Sequence, residues 1–453
     1  MESINQALVA FGNWAWGPHL LFLLVGGGVF FLIYSRLLPF RYFAHAIAIL
    51  RGKYDHPDDP GDIDHYQALS TALAATVGMG NISGVAVAIV AGGPGAIFWM
   101  WISALIGVAT KFFTCTLAIM YRGKDSEGQV QGGPMYVIVE GMGKQWRPLA
   151  IFFSLAGLVG VMPLFQANQL TQTIRDVILV PMQIETGMMS NFLTGVGILI
   201  LVSLVIFGGI KRIGAVTGRL VPFMVGIYVI AVLYILLSNL TAIPDSFALI
   251  FRDAFTGEAV LGGALGSLIL LGVRRAAFSN EAGIGTAPMA HGAAKTQEPI
   301  REGLIAMLGP VIDTIIVCTM TALAIIITGV WQSGSEEGIS VTLSAFDHSM
   351  PGIGAWVLAI CVINFSLSTM FSMSYYGTKC ISFLAGVRYK NWYNILYVGS
   401  ILFGAIASLD AIISLIDGMY AMMAIPTMIS AFWLAPKVMQ AAKAYFSGLN
   451  TDA

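Results

Sequence analysis

The chain has 453 residues, of which 57% are hydrophobic and only 10% charged, against about 25% charged in ordinary soluble domains. With a formal net charge of −1 and a mean hydropathy of +0.81, it excludes a water-soluble enzyme, a disordered chain and a basic nucleic-acid binder. The 51 glycines follow no G-X-Y period, so collagen is excluded too; they suit close helix packing and broken helices in a bilayer.

A membrane helix needs about 20 mostly apolar residues. In chain order, such stretches lie near 18–36, 66–91, 94–121, 149–170, 192–208, 218–239, 254–277, 304–330, 354–385, 392–409 and 411–435, which predicts eleven spans. The first has no basic segment before it and no small-residue cleavage site after it, so it reads as a retained helix rather than a signal peptide. The loop 53–64, rich in Asp and Pro, reads as a solvated acidic turn without calcium-loop spacing. Cys115, Cys318, Cys361 and Cys380 stand singly in apolar segments, as small buried residues rather than disulfide or zinc ligands.

Lys and Arg alternate in number from loop to loop. One set of loops and the C-terminal tail carries 18 of them, the other set only Arg175 and Arg252, and Lys111, Arg274 and Arg275 fall within spans. By the positive-inside rule the N-terminus is expected outside and the C-terminus in the cytoplasm.

The second span contains Val77-Gly78-Met79-Gly80-Asn81 at its middle. Glycines and Asn weaken a helix, and in lipid the freed backbone is tolerated only where it is buried in protein or lines a cavity. One reading is a closely packed or flexible helix. The other is an unwound segment, with a second half-helix starting near Asn81 whose bare N–H groups face a substrate carboxylate. Carbonyls at the end of the first half, Ala74 to Val77, then suit a monovalent cation. Gly78-x-Gly80 is not a dinucleotide loop, because no strand precedes it and the third glycine is misplaced; no Walker A lysine motif occurs either. Five spans later, Gly262-Gly263-Ala264-Leu265-Gly266-Ser267 marks an expected second break. Two interrupted spans in corresponding positions predict a five-plus-five inverted repeat, over 66–239 and 254–435, preceded by one extra helix at 18–36.

Several stretches resemble one family, the alanine or glycine:cation symporters: Ala74–Ala86, Gly92-Gly-Pro-Gly-Ala-Ile-Phe-Trp-Met-Trp101, Gly132-Gly-Pro-Met-Tyr136, Phe278-Ser-Asn-Glu-Ala-Gly-Ile-Gly285 and Ser374-Tyr-Tyr-Gly377. The resemblance runs from about residue 18 to 435. It implies an all-α, leucine-transporter-like membrane fold and cation-driven import of small amino acids. Val77–Asn81 also resembles the broken first helix of sodium-coupled neurotransmitter symporters.

On this basis the substrate site is expected at Thr76, Gly78, Met79, Gly80, Asn81, Gln166, Asn168, Gly263, Gly266, Thr369 and Met373. Gln166 and Asn168 match the family's QxN pattern; such buried amides serve either interhelical hydrogen bonding or substrate contact. The resemblance places a Na⁺ site at the carbonyls of Ala74 and Val77 and the hydroxyls of Ser368 and Thr369, although these hydroxyls can instead bond to their own helix. Arg274, Arg275 and Glu281 are expected to form a cytoplasmic gate. For Lys111, Asp313 and Asp417 a structural salt bridge and a gating one are both open. The chain departs from the family pattern at Met79 (usually Thr), Thr114 (usually Glu), Met373 (usually Trp) and Thr378 (usually Glu); Met for Trp replaces a rigid pocket wall with a flexible one.

The expected function is alternating-access symport of a small neutral amino acid with Na⁺, in the inner membrane, by a monomer. A larger amino acid or H⁺ coupling is the alternative. No other cofactor and no nucleic-acid partner are expected. A channel lacks a ring of like charges to support it, and an enzyme lacks a nucleophile–base pair or metal set.

Overall fold

The computed structural model describes residues 2–56, 58–255, 264–333, 338–406 and 410–449. Apart from a two-stranded hairpin, Gly123–Lys124 with Val130–Gln131, the described residues that form regular structure are helical. Eight described helices are long and apolar enough to cross a membrane, or nine counting one bent pair. Two of the eleven expected spans fall short of that length: Ala264–Asn280 and Lys390–Ile406 have 17 residues each. The segments 256–263 and 407–409, which adjoin them, lie outside the described residues.

The outer surface explains why the composition is so apolar. Phe22 is 77% exposed, Ile230 70% and Trp392 68%, an arrangement that suits lipid and would aggregate in water. Charged and polar groups turn inward instead. Lys111, Glu302 and Asp313 are all buried.

The elements that build the site are as follows. Helix α1 (Glu2–Ala15) and α2 (Pro18–Tyr34) lead the chain. The first interrupted helix is α3 (His65–Thr76) and α4 (Val85–Gly92), joined by a π-helical turn, Gly80–Gly84. Then come α5 (Gly95–Met120), α6 (Arg147–Gly160), α7 (Leu164–Ile174), α8 (Met188–Ile206) and α9 (Gly209–Ser238). A second interrupted helix follows, α10 (Ala264–Asn280) and α11 (Thr286–His291). After it lie α12 (Pro299–Ala306), α13 (Thr319–Thr328), α14 (Gly354–Ala385), α15 (Lys390–Ile406), α16 (Asp410–Met422) and α17 (Ala424–Leu449). Helix α3 packs against α9, α11 and α14; α5 packs against α2, α10, α11 and α12; α1 lies along α16.

The first interruption falls where the sequence places it. Asp64 caps α3, its carboxylate accepting from the Gln67 N–H at 2.7 Å while Gln67 reaches back. The helix stops at Thr76 because Val77 turns extended, at φ −73° and ψ 91°. The two halves meet at a bend of 53°.

Among the described residues the second interruption falls later than Gly266. Gly263 lies outside the described residues, and Gly266 falls within helix α10, which begins at Ala264 and runs to Asn280. The break is at Glu281–Gly285, within the Phe278–Gly285 motif. Glu281, Gly283 and Gly285 all take positive φ, at 56°, 88° and 107°. A side chain on Gly283 would come within 2.6 Å of Leu24, and one on Gly285 within 2.7 Å of Phe153, so glycine is needed for both backbone and space. Asn280 ends the helix by accepting the Ala282 N–H on its own side chain at 3.0 Å.

Candidate functional site

A pocket lies between the two interruptions. The first interruption contributes Thr76, Gly78, Met79 and Gly80; α7 contributes Phe165 and Gln166; the second contributes Phe278 and Glu281. Thr369 and Met373 of α14 and Asp417 and Tyr420 of α16 complete the wall. Seven of the residues expected from sequence therefore meet in one cavity. The opening N–H groups of the half-helix beyond Val77 have no intrahelical acceptor, and the dipole adds roughly half a positive charge there.

Beside the pocket, α14 reaches across to the end of α3. Ser368 Oγ and Thr369 Oγ1 lie 3.3 and 3.1 Å from the Ala74 carbonyl oxygen, and Thr369 Oγ1 is 3.5 Å from that of Ala75. Both hydroxyls are also within 3.0 Å of the Phe365 carbonyl of their own helix. The result is a cluster of uncharged oxygens, the ligand type that hard cations take. Gly78 leaves room for it: a side chain there would stand 2.8 Å from Thr369 Oγ1.

Asn81 does not face the pocket. Its Oδ1 accepts the Gly78 N–H at 2.8 Å, and its Nδ2 donates to Asp313 Oδ1 at 2.7 Å. Asp313 Oδ2 accepts from Ser279 Oγ at 2.6 Å and Thr314 Oγ1 at 2.9 Å. This buried knot joins the first interruption, the end of α10 and the segment Val311–Cys318. It fixes the half-helix start, because a buried amide beside a carboxylate is satisfied there. Asn168 likewise turns away from the pocket and donates to the Gly404 carbonyl at 3.2 Å.

A model of the sodium:alanine symporter family matches residues 1–452. The chain belongs to that family. The sodium/alanine symporter AgcS of Methanococcus maripaludis is 39% identical, over 96% of this chain and 95% of that protein. An uncharacterized transporter of Haemophilus influenzae is also 39% identical, over 99% and 98%. The amino-acid carrier protein AlsT of Bacillus subtilis is 34% identical, over 95% and 90%. Among solved structures, MhsT in complex with L-phenylalanine superposes with a TM-score of 0.54 at 13% identity, over 84% of this chain and 98% of that one. The fold is thus leucine-transporter-like, and this family member is a multi-pass membrane transporter rather than an enzyme.

In this symporter-family chain the expected gate is arranged differently. Glu281 lines the central pocket, where Thr286 Oγ1 donates to it; it does not pair with Arg274 or Arg275. Those arginines lie about two turns before the second break. They line an adjoining space with Trp16, Phe165, Phe278 and Asp417, and Arg274 stands 5.8 Å from the Trp16 ring. With the break at Glu281–Gly285, these arginines precede it in the chain, whereas Arg122 bonds the Gly292 carbonyl beyond α11 on its other side. Among the described ion pairs none involves Lys111, Asp313 or Asp417. The four cysteines are free and buried.

Sequence reasoning missed a second constellation. On the side of the Arg-rich loops, Glu302 Oε1 accepts from His291 Nδ1 at 2.5 Å while Oε2 accepts from His65 Nδ1. His65 opens α3 and His291 closes α11. Their separation in sequence hides this, and neither sits in a recognisable motif.

Proposed function

We propose that this chain imports a small neutral amino acid together with Na⁺ across the inner membrane by alternating access. The observation that carries the reading is the Ala74 carbonyl, shared by the Ser368 and Thr369 hydroxyls at the edge of the pocket between two interrupted helices. Na⁺ binds there with uncharged oxygens. The amino acid places its carboxylate on the bare N–H groups at Met79 and Gly80, with Gln166 beside it. Val77 supplies the turn that presents these groups. Cation and substrate then each raise the affinity for the other, which linkage makes reciprocal. A potential of 100 mV adds about 2.3 kcal/mol per charge moved.

The chain is oriented with the N-terminus outside, the two interrupted helices open five-helix repeats over 66–239 and 254–435, and the carrier works as a monomer. Arg274, Arg275 and Asp417 form the gate on the Trp16 side, which this orientation makes the outer one. A wall that includes Met79, Met162 and Met373 yields to side chains larger than methyl.

Proteoliposome uptake with a panel of L- and D-amino acids tests this. Uptake of a small neutral amino acid is expected to rise under an inward Na⁺ gradient; equal uptake in Na⁺ and K⁺ at fixed pH contradicts it. Met373→Trp is expected to narrow the range of accepted substrates, and an unchanged range removes Met373 from the pocket.

A further inference from the structure

We propose that Glu302 is a positioning residue that, through His65 and His291, fastens the inner ends of the two interrupted helices into one body, so that α3 moves with α11 during transport instead of swinging away alone. The proposal rests on the carrier reading above.

The geometry is specific. Glu302, His65 and His291 are buried to within 1% of full enclosure. His65 is the first residue of α3 and His291 the last of α11, so one carboxylate ties together the far ends of both inner half-helices. Separating either imidazole from Glu302 leaves a buried charge short of a partner, a costly state in the protein interior. Glu302 itself stands on α12, which packs along α5. Arg122, just beyond the end of α5, extends the fastening. Its guanidinium donates to the carbonyls of Pro60 and Thr296 at 3.0 Å each, and to that of Ala294, while Nε reaches Gly292 at 3.0 Å. The backbone joins as well: Ile63 and Ala294 pair as a β-bridge, Asp62 N–H donates to Ala293 at 2.8 Å and Lys295 N–H to Ile63 at 2.7 Å.

The other faces of α3 are held by uncharged polar contacts. Against α9 these are Thr71 to Thr217 at 3.2 Å and the Tyr66 hydroxyl donating to the Gly218 carbonyl at 2.9 Å, and against α14 they are the hydroxyl contacts at Ala74. The seam with α14, joined by hydroxyl-to-carbonyl contacts, is the one that carries the candidate cation site. A cation there bridges two bodies that slide, and α3 acts as a lever of about 18 Å whose far end is set by Glu302.

Two experiments on the full chain in proteoliposomes test this. The first uses Ile63→Cys with Ala294→Cys, with each single cysteine as control; β-bridge partners are close enough for a disulfide. If the ends move as one body, oxidised carrier keeps Na⁺-driven L-alanine uptake within about twofold of the reduced form. Cross-linking yield is then the same in Na⁺ and in K⁺. Loss of uptake that reductant restores overturns the proposal, as does a yield that falls in either ion, or no cross-link between two reactive thiols. If the reduced wild-type chain takes up no L-alanine under a Na⁺ gradient, the carrier reading fails by itself, and the yield comparison still decides the fastening. The second experiment uses Glu302→Gln, whose single carbonyl cannot serve both imidazoles. Its half-saturating Na⁺ concentration is expected to rise about tenfold, the effect of one lost charged hydrogen bond, with the maximal rate less affected and with partial recovery in Glu302→Asp. A purely structural role lowers the yield of folded protein but leaves half-saturation unchanged, and that result overturns the proposal.

Discussion

Gly78 illustrates how much of the site rests on a missing side chain. Its N–H is held by Asn81 and its Cα faces the Thr369 hydroxyl, so even a methyl group intrudes on the oxygen cluster. Overpacking of this kind typically costs 1–3 kcal/mol. Gly78→Ala is therefore expected to raise half-saturating Na⁺ in uptake assays by about tenfold; an unchanged value would mean that Thr369 Oγ1 takes no part in holding the cation. Asn81 behaves oppositely. Removing its side chain leaves the Gly78 N–H and a buried carboxylate oxygen unpaired, at about 1–3 kcal/mol each. Asn81→Ala should thus lower the melting temperature of the solubilised, ligand-free protein. An Asn81 that acted on solute alone would leave that temperature where it was. The sequence shows that Asn81 is polar and central, but not which way it points, because its partners Ser279 and Asp313 come from segments some 200 residues away.

Interrupted helices are the element that this fold uses to bring backbone groups to a solute in lipid. The first was legible because Gly78, Gly80 and Asn81 crowd one turn of an apolar span. For the second, composition points to Gly262, Gly263 and Gly266, of which only Gly266 lies within the described residues, and the break seen there is at Glu281–Gly285. What decides is conformation: Gly283 and Gly285 carry positive φ in tight contact with neighbours, while Gly266 sits in a helix. Two glycines spaced within a polar motif proved more informative than three in an apolar run. Gly285→Ala is accordingly expected to be the more damaging substitution, since it combines strain with a clash against Phe153. Gly266→Ala, in the first described turn of α10, should be neutral or stabilising by up to about 1 kcal/mol. Thermal melts of the two variants in detergent check the order, and a reversed order would return the break to 262–266.

At the scale of the whole molecule, the chain's topology rests on the 18-to-2 partition of Lys and Arg between its two sides. A membrane-impermeant maleimide applied to intact cells should label Glu185→Cys but not Glu127→Cys; the reverse pattern would invert the carrier. The multi-pass helical class was legible from hydropathy, whereas the His65–Glu302–His291 fastening was not, because it exists only once α3, α11 and α12 meet. Coupling is the property that needs the assembled whole: a cation between α3 and α14 must change how the pocket takes its solute. Radiolabelled Na⁺ uptake driven by an imposed inward L-alanine gradient measures this directly, in wild type and in Ser368→Ala, a change beside the pocket rather than in its wall. The expected result is alanine-driven Na⁺ entry in wild type and, in the variant, a requirement for about tenfold more Na⁺. Alanine entry without Na⁺ movement, or a variant indistinguishable from wild type, would contradict the account.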